Sequence, residues 1–132
     1  MPAPWRTRPF GKRKQRGVMN STEEKFLEQY IKPRVDEGKV SDWWYEAWSW
    51  KLTEKTPGGN GSKSKPGIRY TPDFVCMLAS GELVLFEVKG TGNARIQDLN
   101  RVKLFADKFP LRIYVATQRR VKDGGGFHVV EY

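Results

Sequence analysis

Residues 70–89 read YTPDFVCMLASGELVLFEVK and carry the strongest structural signal in the chain. Two apolar runs, residues 70–78 and Leu83–Lys89, predict a pair of strands, and the residues between them favour a tight turn. Gly81 can adopt the left-handed conformation that closes a hairpin loop formed by residues 79–81. The stretch therefore predicts an antiparallel hairpin with a defined register.

That register brings charged residues together at one end of the hairpin. Asp73 would face Glu87, with the two Cβ atoms about 5 Å apart. Lys89 lies on the same face of its strand as Glu87, one step further along. Both faces of this strand begin apolar, which is typical of an interior strand, where charges cost free energy unless they are paired or bound to something.

The residue types allow two interpretations of this end of the hairpin. A divalent cation between Asp73 and Glu87 would turn the repulsion of two carboxylates into attraction, and oxygen-only ligands favour Mg²⁺ or Mn²⁺. The alternative is an ion pair between Lys89 and Glu87 at a strand end, next to an unrelated turn aspartate. The residue types favour the metal site but leave the alternative open.

The first half of the chain predicts a helix followed by a strand. Asn20 or Ser21 can cap the helix, which Pro33 is expected to bend or end. The alternation of Trp48, Trp50 and Leu52 with polar residues predicts a strand with one buried face. The tryptophans of this region form either core packing or a base-stacking platform, and their large burial energies favour the core.

The second half predicts the rest of an α/β fold. After a loop of Gly, Pro, Ser and Lys over residues 56–67 and the hairpin, a helix fits residues 94–108, and residues 111–117 and 127–132 suit strands. The element order is helix, three strands, helix, two strands. We expect one domain, residues 19–132, with a mixed sheet of about five strands flanked by helices.

Charge indicates the kind of partner. The formal net charge is +9, and residues 1–16 hold six basic side chains and no acidic one. We expect a basic arm over residues 1–18 that contacts DNA through Arg13, Lys14 and Arg16; the alternative is a solvated tail that aids solubility. The single cysteine allows no internal disulfide, and no apolar run is long enough to span a bilayer, so a cytoplasmic protein is expected.

One motif resembles a known family. Pro72-Asp73, thirteen intervening residues and then Glu87-Val88-Lys89 are similar to the signature of the PD-(D/E)xK nucleases. The stretch from residue 20 to residue 132 resembles small phage-encoded members of this superfamily and, more distantly, the phage endonuclease I that resolves four-way DNA junctions. The resemblance implies a restriction-endonuclease-like core, Mg²⁺ or Mn²⁺ held by Asp73 and Glu87, and a catalytic role for Lys89.

The resemblance also implies a glutamate on the first helix. In Ser21-Thr22-Glu23-Glu24, Glu24 takes the family position as a further catalytic and metal-binding carboxylate, and the adjacent Glu23 is its competitor. Either glutamate can instead be a first-turn residue that favours the helix dipole. Further candidates for DNA contacts are four basic residues of the loop and the second helix: Lys63, Lys65, Arg101 and Lys103.

Together these features predict a metal-dependent endonuclease that cuts branched DNA, most simply as a homodimeric resolvase of four-way (Holliday) junctions, since two symmetric cuts need two sites. The alternatives are a nuclease of the same superfamily acting on duplex or single-stranded DNA, and a nucleic-acid-binding module without catalysis. The long Gly/Lys loop departs from the family pattern and leaves the substrate geometry open.

Overall fold

A computed structural model of the protein describes residues 17–61, 63–92 and 96–132. The helical elements are α1 Ser21–Phe26, a π-helical segment Leu27–Ile31, α2 Lys32–Asp36, α3 Ile96–Lys108 and a 3₁₀ turn Val121–Asp123. The strands are β1 Val40–Tyr45, β2 Trp50–Lys51, β3 Arg69–Tyr70, β4 Phe74–Leu78, β5 Leu83–Lys89, β6 Arg112–Gln118 and β7 Phe127–Glu131. Apart from Gly17 and Val18, the expected basic arm lies outside the described residues, and with it Arg13, Lys14 and Arg16.

The fold is α/β, with a mixed sheet of five strands in the order β1-β4-β5-β6-β7. Neighbouring strands are antiparallel except β5 and β6, which run parallel and are joined through α3. Such a connection is the usual way to link parallel strands, because the chain must return to the same edge of the sheet. The predicted fold class and the five-stranded mixed sheet are confirmed.

The central hairpin has the register that the sequence predicts. Val75 is paired with Leu85, and Phe74 is paired with Phe86. The loop closes through the Leu78 N–H, which donates to the Glu82 carbonyl at 2.8 Å. Gly81 has a φ of 89°, the left-handed conformation that a residue with a Cβ atom avoids. The three-residue loop thus brings Asp73 to the level of Glu87, although Asp73 itself lies in a bend just before β4.

The first helix is continuous through a π-helical segment that precedes Pro33. A proline ring clashes with the carbonyl four residues before it, and one wider turn relieves that clash. The Lys32 N–H accordingly donates to the Leu27 carbonyl, five residues back. Pro33 therefore neither ends the helix nor breaks it. The helix ends at Asp36, and Gly38 follows its cap with a φ of 76°, which allows the Lys39 N–H to reach the Arg34 carbonyl at 2.9 Å.

Helices cover both faces of the sheet, and each face has its own apolar cluster. The first helix packs on a cluster that contains Phe26, Ile31, Phe74, Phe86 and Ala116. The opposite face packs against α3 through Val75, Leu85, Val102, Phe105 and Ile113. β5 lies inside the sheet between β4 and β6, and its side chains are covered on both faces. None of the described helices combines the length and apolar character that crossing a bilayer requires.

Three sequence-based expectations hold only in part. The first strand of the main sheet is Val40–Tyr45, whereas Trp50–Lys51 pairs with Arg69–Tyr70 in a separate two-stranded sheet. The run 70–78 is broken after Tyr70, since Pro72 has no N–H to donate to a neighbouring strand. The segment 56–67, expected as a loop, is partly paired: Thr56 and Lys65 exchange two backbone hydrogen bonds of 2.9 Å.

Candidate active site

Asp73 joins three parts of the chain at one end of the sheet. Its Oδ2 accepts a hydrogen bond of 2.8 Å from the Val88 N–H of β5. Its carbonyl oxygen accepts one of 2.9 Å from the N–H of Glu46, the residue that follows β1. Pro72 interrupts the strand, and Asp73 lies in the bend just before β4, from which its side chain reaches the β5 backbone.

Glu87 and Lys89 lie on the neighbouring strand, as the alternation of β5 predicts. Lys89 Nζ is 3.2 Å from Glu87 Oε1, and the two side chains are only 15% and 12% exposed. The hydroxyl of Tyr70 donates to the other oxygen, Glu87 Oε2. Both carboxylate oxygens of Glu87 therefore have a donor, and the buried Tyr70 connects the small β2–β3 sheet to this site.

The structure brings Glu23, and not Glu24, to Asp73. Glu23 is 1% exposed, and its carboxylate interacts with that of Asp73. Its Oε1 accepts the Asn20 N–H at 3.0 Å, and the Tyr45 hydroxyl donates to both of its oxygens at 3.1 Å. Glu24 is exposed, because the next residue of a helix points about 100° away. Of the two adjacent glutamates, the structure thus places Glu23 beside Asp73 and Glu24 on the surface.

Glu46 is a member of the site that the sequence reasoning missed. Glu23, Glu46 and Asp73 each offer a carboxylate oxygen, and these three oxygens lie within 4.8 Å of one another. Glu46 has a φ of 45°, the one positive φ at a non-glycine residue in the described parts of the chain. Such a conformation is strained, and strain of this kind concentrates at functional sites. No local sequence pattern marks Glu46, since a single acidic residue after a strand usually lies in solvent.

Crowding of carboxylates dominates the electrostatics. Burial, the charge of Glu87 and then that of Glu23 raise the pKa of Asp73 well above its usual range, and the Val88 N–H only partly opposes this. Burial and the same Glu87 charge also raise the pKa of Tyr70, so its hydroxyl remains a donor. Without a cation, the repulsion between these carboxylates destabilises the folded protein. A set of ligands made of oxygens alone fits Mg²⁺ or Mn²⁺.

The remaining candidates for DNA contacts differ in whether they line the cleft beside this site. Arg101 lines a cleft of about 200 Å³ together with Arg69, Tyr70, Thr71 and Glu87. Lys103 is exposed on α3, and Lys63 and Lys65 are exposed on the segment that precedes β3. Arg101 is thus the one of these four that lines the cleft beside the carboxylates.

Known proteins offer no independent guide to this site. Comparison of the chain with protein families, with curated proteins and with solved structures gives no match. Its function has to be inferred from the geometry and the residue chemistry described above.

Proposed function

We propose that the protein is a Mg²⁺- or Mn²⁺-dependent DNA endonuclease of the PD-(D/E)xK type. One observation carries the proposal: Asp73 lies between Glu87 with its paired Lys89 on one side and Glu23 with Glu46 on the other. Buried carboxylates that repel each other are retained in a stable fold when a ligand needs them. A simple ion pair of Lys89 with Glu87 would explain neither Glu23 nor Glu46.

Each residue has a distinct part in the proposed reaction. Asp73 and Glu87 would hold the cation, and Glu23 with Glu46 would complete its shell or orient water. The bound cation would supply Lewis-acid polarisation of the scissile phosphate and ease deprotonation of the attacking water. Lys89, held at 3.2 Å by Glu87, would orient that water and stabilise the negative charge that develops on phosphorus.

Branched DNA, and the four-way junction in particular, is the proposed substrate. Support for this finer proposal comes from the more distant resemblance of residues 20–132 to the phage endonuclease I that resolves four-way DNA junctions. Resolution of a junction needs two symmetric cuts, so we propose that the protein acts as a homodimer with one site in each protomer.

Cleavage of a labelled four-way junction beside linear duplex of the same sequence tests the proposal. The assay compares Mg²⁺ with EDTA, and wild type with Lys89→Ala and Glu23→Gln. Glu24→Gln is the matched control, because it makes the same change one residue away on an exposed side chain. Gln at position 23 keeps an acceptor for the Asn20 N–H, so the helix cap survives.

We expect metal-dependent nicks confined to the junction, with rates at least about 100-fold lower in Lys89→Ala and Glu23→Gln than in Glu24→Gln. Equal cutting of linear duplex would support the nuclease activity but contradict specificity for the junction. Tight DNA binding that is the same in EDTA, with no cutting under any condition, would contradict the proposal and indicate a non-catalytic binding module.

A further inference from the structure

Positive charge is concentrated in a second segment besides the first 16 residues. Residues 51–69 hold five basic side chains and one acidic one, whereas residues 17–50 and 70–132 together hold 13 basic and 14 acidic ones. Outside the basic arm, the excess of positive charge therefore lies in this one segment. Charge so localised favours contact with a polyanion, because released counterions contribute to binding.

The segment folds back on itself as a ribbon, which we define as residues 50–61 and 63–70. Trp50 is paired with Tyr70 and Lys51 with Arg69, and the pairing resumes at Thr56 and Lys65. Between these pairs, the Leu52 N–H donates to the Ile68 carbonyl at 2.7 Å. Three of the five basic residues, Lys51, Lys65 and Arg69, are thus carried by paired backbone.

A repulsive pair lies at the base of the ribbon. Lys51 and Arg69 are directly opposite each other in the two-stranded sheet, and like charges so placed are destabilising. Glu54 offsets part of this repulsion, since its Oε2 is 2.6 Å from Lys51 Nζ on an exposed surface. The guanidinium of Arg69 bonds to Ser49, which has no charge. An anionic ligand would relieve the repulsion that remains.

A groove along the ribbon shares one lining residue with the cleft of the candidate active site. Its volume is about 520 Å³, and its lining residues are Lys51, Lys55, Ser64, Pro66, Gly67 and Arg69. At Gly67 the two arms of the ribbon touch, because a Cβ atom there would lie 2.2 Å from the Thr53 carbonyl oxygen. Arg69 lines both this groove and the cleft that contains Glu87. The next residue, Tyr70, bonds to Glu87 itself.

We propose that the ribbon binds the sugar–phosphate backbone of a DNA strand in this groove and directs it past Arg69 into the Glu87 cleft. Lys51, Lys55 and Arg69 contact successive phosphates, so the contact carries no information about base sequence. The inference rests on the proposed nuclease function, because it takes the Glu87 cleft as the place where the strand is cut.

The test measures DNA binding by the full chain in EDTA, where no cutting occurs. Fluorescence anisotropy with a labelled duplex over a range of salt concentrations compares Lys51→Ala/Lys55→Ala with Lys32→Ala/Lys39→Ala. The control pair removes the same charge from exposed lysines that also form surface ion pairs, on the part of the chain from α2 to the start of β1. Lys51→Arg/Lys55→Arg is the rescue variant.

We expect the ribbon variant to reduce the slope of log affinity against log salt by about 1.8, since each of the two lost phosphate contacts accounts for about 0.9 on duplex DNA. The control and the arginine variant should keep the wild-type slope. Equal slopes in the ribbon and control variants, or no binding by the wild type, would overturn the proposal. So would a ribbon variant that loses binding to phosphatidylserine vesicles but not to DNA.

The two proposals fail separately in these experiments. Normal metal-dependent cutting with an unchanged salt slope would reject the ribbon contact alone. The expected slope change in a protein that never cuts DNA would support the ribbon contact and reject the nuclease.

Discussion

At the scale of single residues, Asp73 combines a structural bond with an electrostatic cost. Its side chain accepts the Val88 N–H at 2.8 Å, which stabilises the sheet end. Its charge, however, lies among the carboxylates of Glu87 and Glu23, and burial removes the water that would screen it. Two opposing contributions from one side chain can be separated by a substitution that keeps the hydrogen bond and removes the charge.

We predict that Asp73→Asn raises the free energy of unfolding in EDTA at neutral pH by about 1 kcal/mol. Each unit by which folding raises the pKa of a carboxyl group corresponds to about 1.4 kcal/mol against its ionised form. The folded protein disfavours the charged form of Asp73, so a neutral isostere is favoured. Urea denaturation measures the change. Asp42→Asn is the matched control, since Asp42 also accepts a backbone N–H at 2.8 Å but is exposed. If Asp73→Asn lowered the free energy of unfolding as much as Asp42→Asn does, the prediction would be wrong.

At Glu46, a strained backbone lowers the stability of the fold while the side chain is proposed to bind the metal ion. Its φ of 45° is accessible to glycine without strain. We predict that Glu46→Gly keeps or raises the free energy of unfolding in EDTA, by up to about 1 kcal/mol. The same change should weaken Mn²⁺ binding by about tenfold, measured by titration calorimetry, because one of the clustered oxygens is lost.

Glu46→Gln separates these two effects, since it removes the charge but keeps the strained backbone. Weakened Mn²⁺ binding is the expected result for both variants, and only Glu46→Gly should gain the further stability that comes from relief of the strained backbone. Wild-type Mn²⁺ affinity in both variants would remove Glu46 from the proposed metal shell.

At the scale of elements, the hairpin loop sets the geometry of the site. The left-handed Gly81 fixes the register in which Phe74 is paired with Phe86, and therefore the level at which Asp73 lies relative to Glu87. A shift by one residue would move Glu87 and Lys89 to the opposite face of the sheet. Sheet stability and site geometry thus depend on the same turn.

We predict that Gly81→Ala lowers the free energy of unfolding by about 1 kcal/mol, because a Cβ atom disfavours a φ of 89°. Chemical denaturation gives the value. Gly59→Ala serves as the control, since that glycine has no positive φ and a Cβ atom there would contact nothing within 4 Å. An equal loss in both variants would mean that loop conformation does not account for the effect.

The elements also show which features a sequence can predict. The hairpin register follows from neighbours in the chain and one glycine, so it was predictable, as were the α/β class and the positions of Glu87 and Lys89 on one strand face. The choice between Glu23 and Glu24 depends on how the helix is rotated against the sheet, which adjacent acids in a first turn do not reveal. Glu46 reaches Asp73 through a strained turn and a backbone bond between distant segments, and neither has a local signature.

At the scale of the whole molecule, Gly17 and Val18 connect the acidic site to the basic N-terminal sequence. The Gly17 N–H donates to Glu46 Oε2 at 3.0 Å, and the Val18 carbonyl oxygen lies 3.3 Å from the Tyr45 hydroxyl oxygen. In the sequence, Gly17 directly follows residues 1–16, which hold six basic side chains and no acidic one. Positive charge so close in sequence to the acidic cluster favours binding of a phosphate backbone, which the carboxylates would otherwise repel.

We predict that deletion of residues 1–16 weakens DNA binding and reduces the salt slope by up to about 5, since six cations are removed. Anisotropy measurements in EDTA over a range of salt concentrations test this. A full-length variant with serine at the six basic positions should match the deletion. A salt slope that does not change would show that the arm makes no phosphate contacts.

The helix cap has a consequence for experiments in solution. Asn20 and Glu23 form a reciprocal capping box, in which the Asn20 N–H donates to the same carboxylate that lies beside Asp73. A cation bound to the Glu23 carboxylate would perturb the hydrogen bond that this carboxylate accepts from the Asn20 N–H. The ¹⁵N–¹H resonance of Asn20 would then shift during a Mg²⁺ titration, so one backbone amide at the start of a helix becomes a spectroscopic reporter of the occupancy of the site.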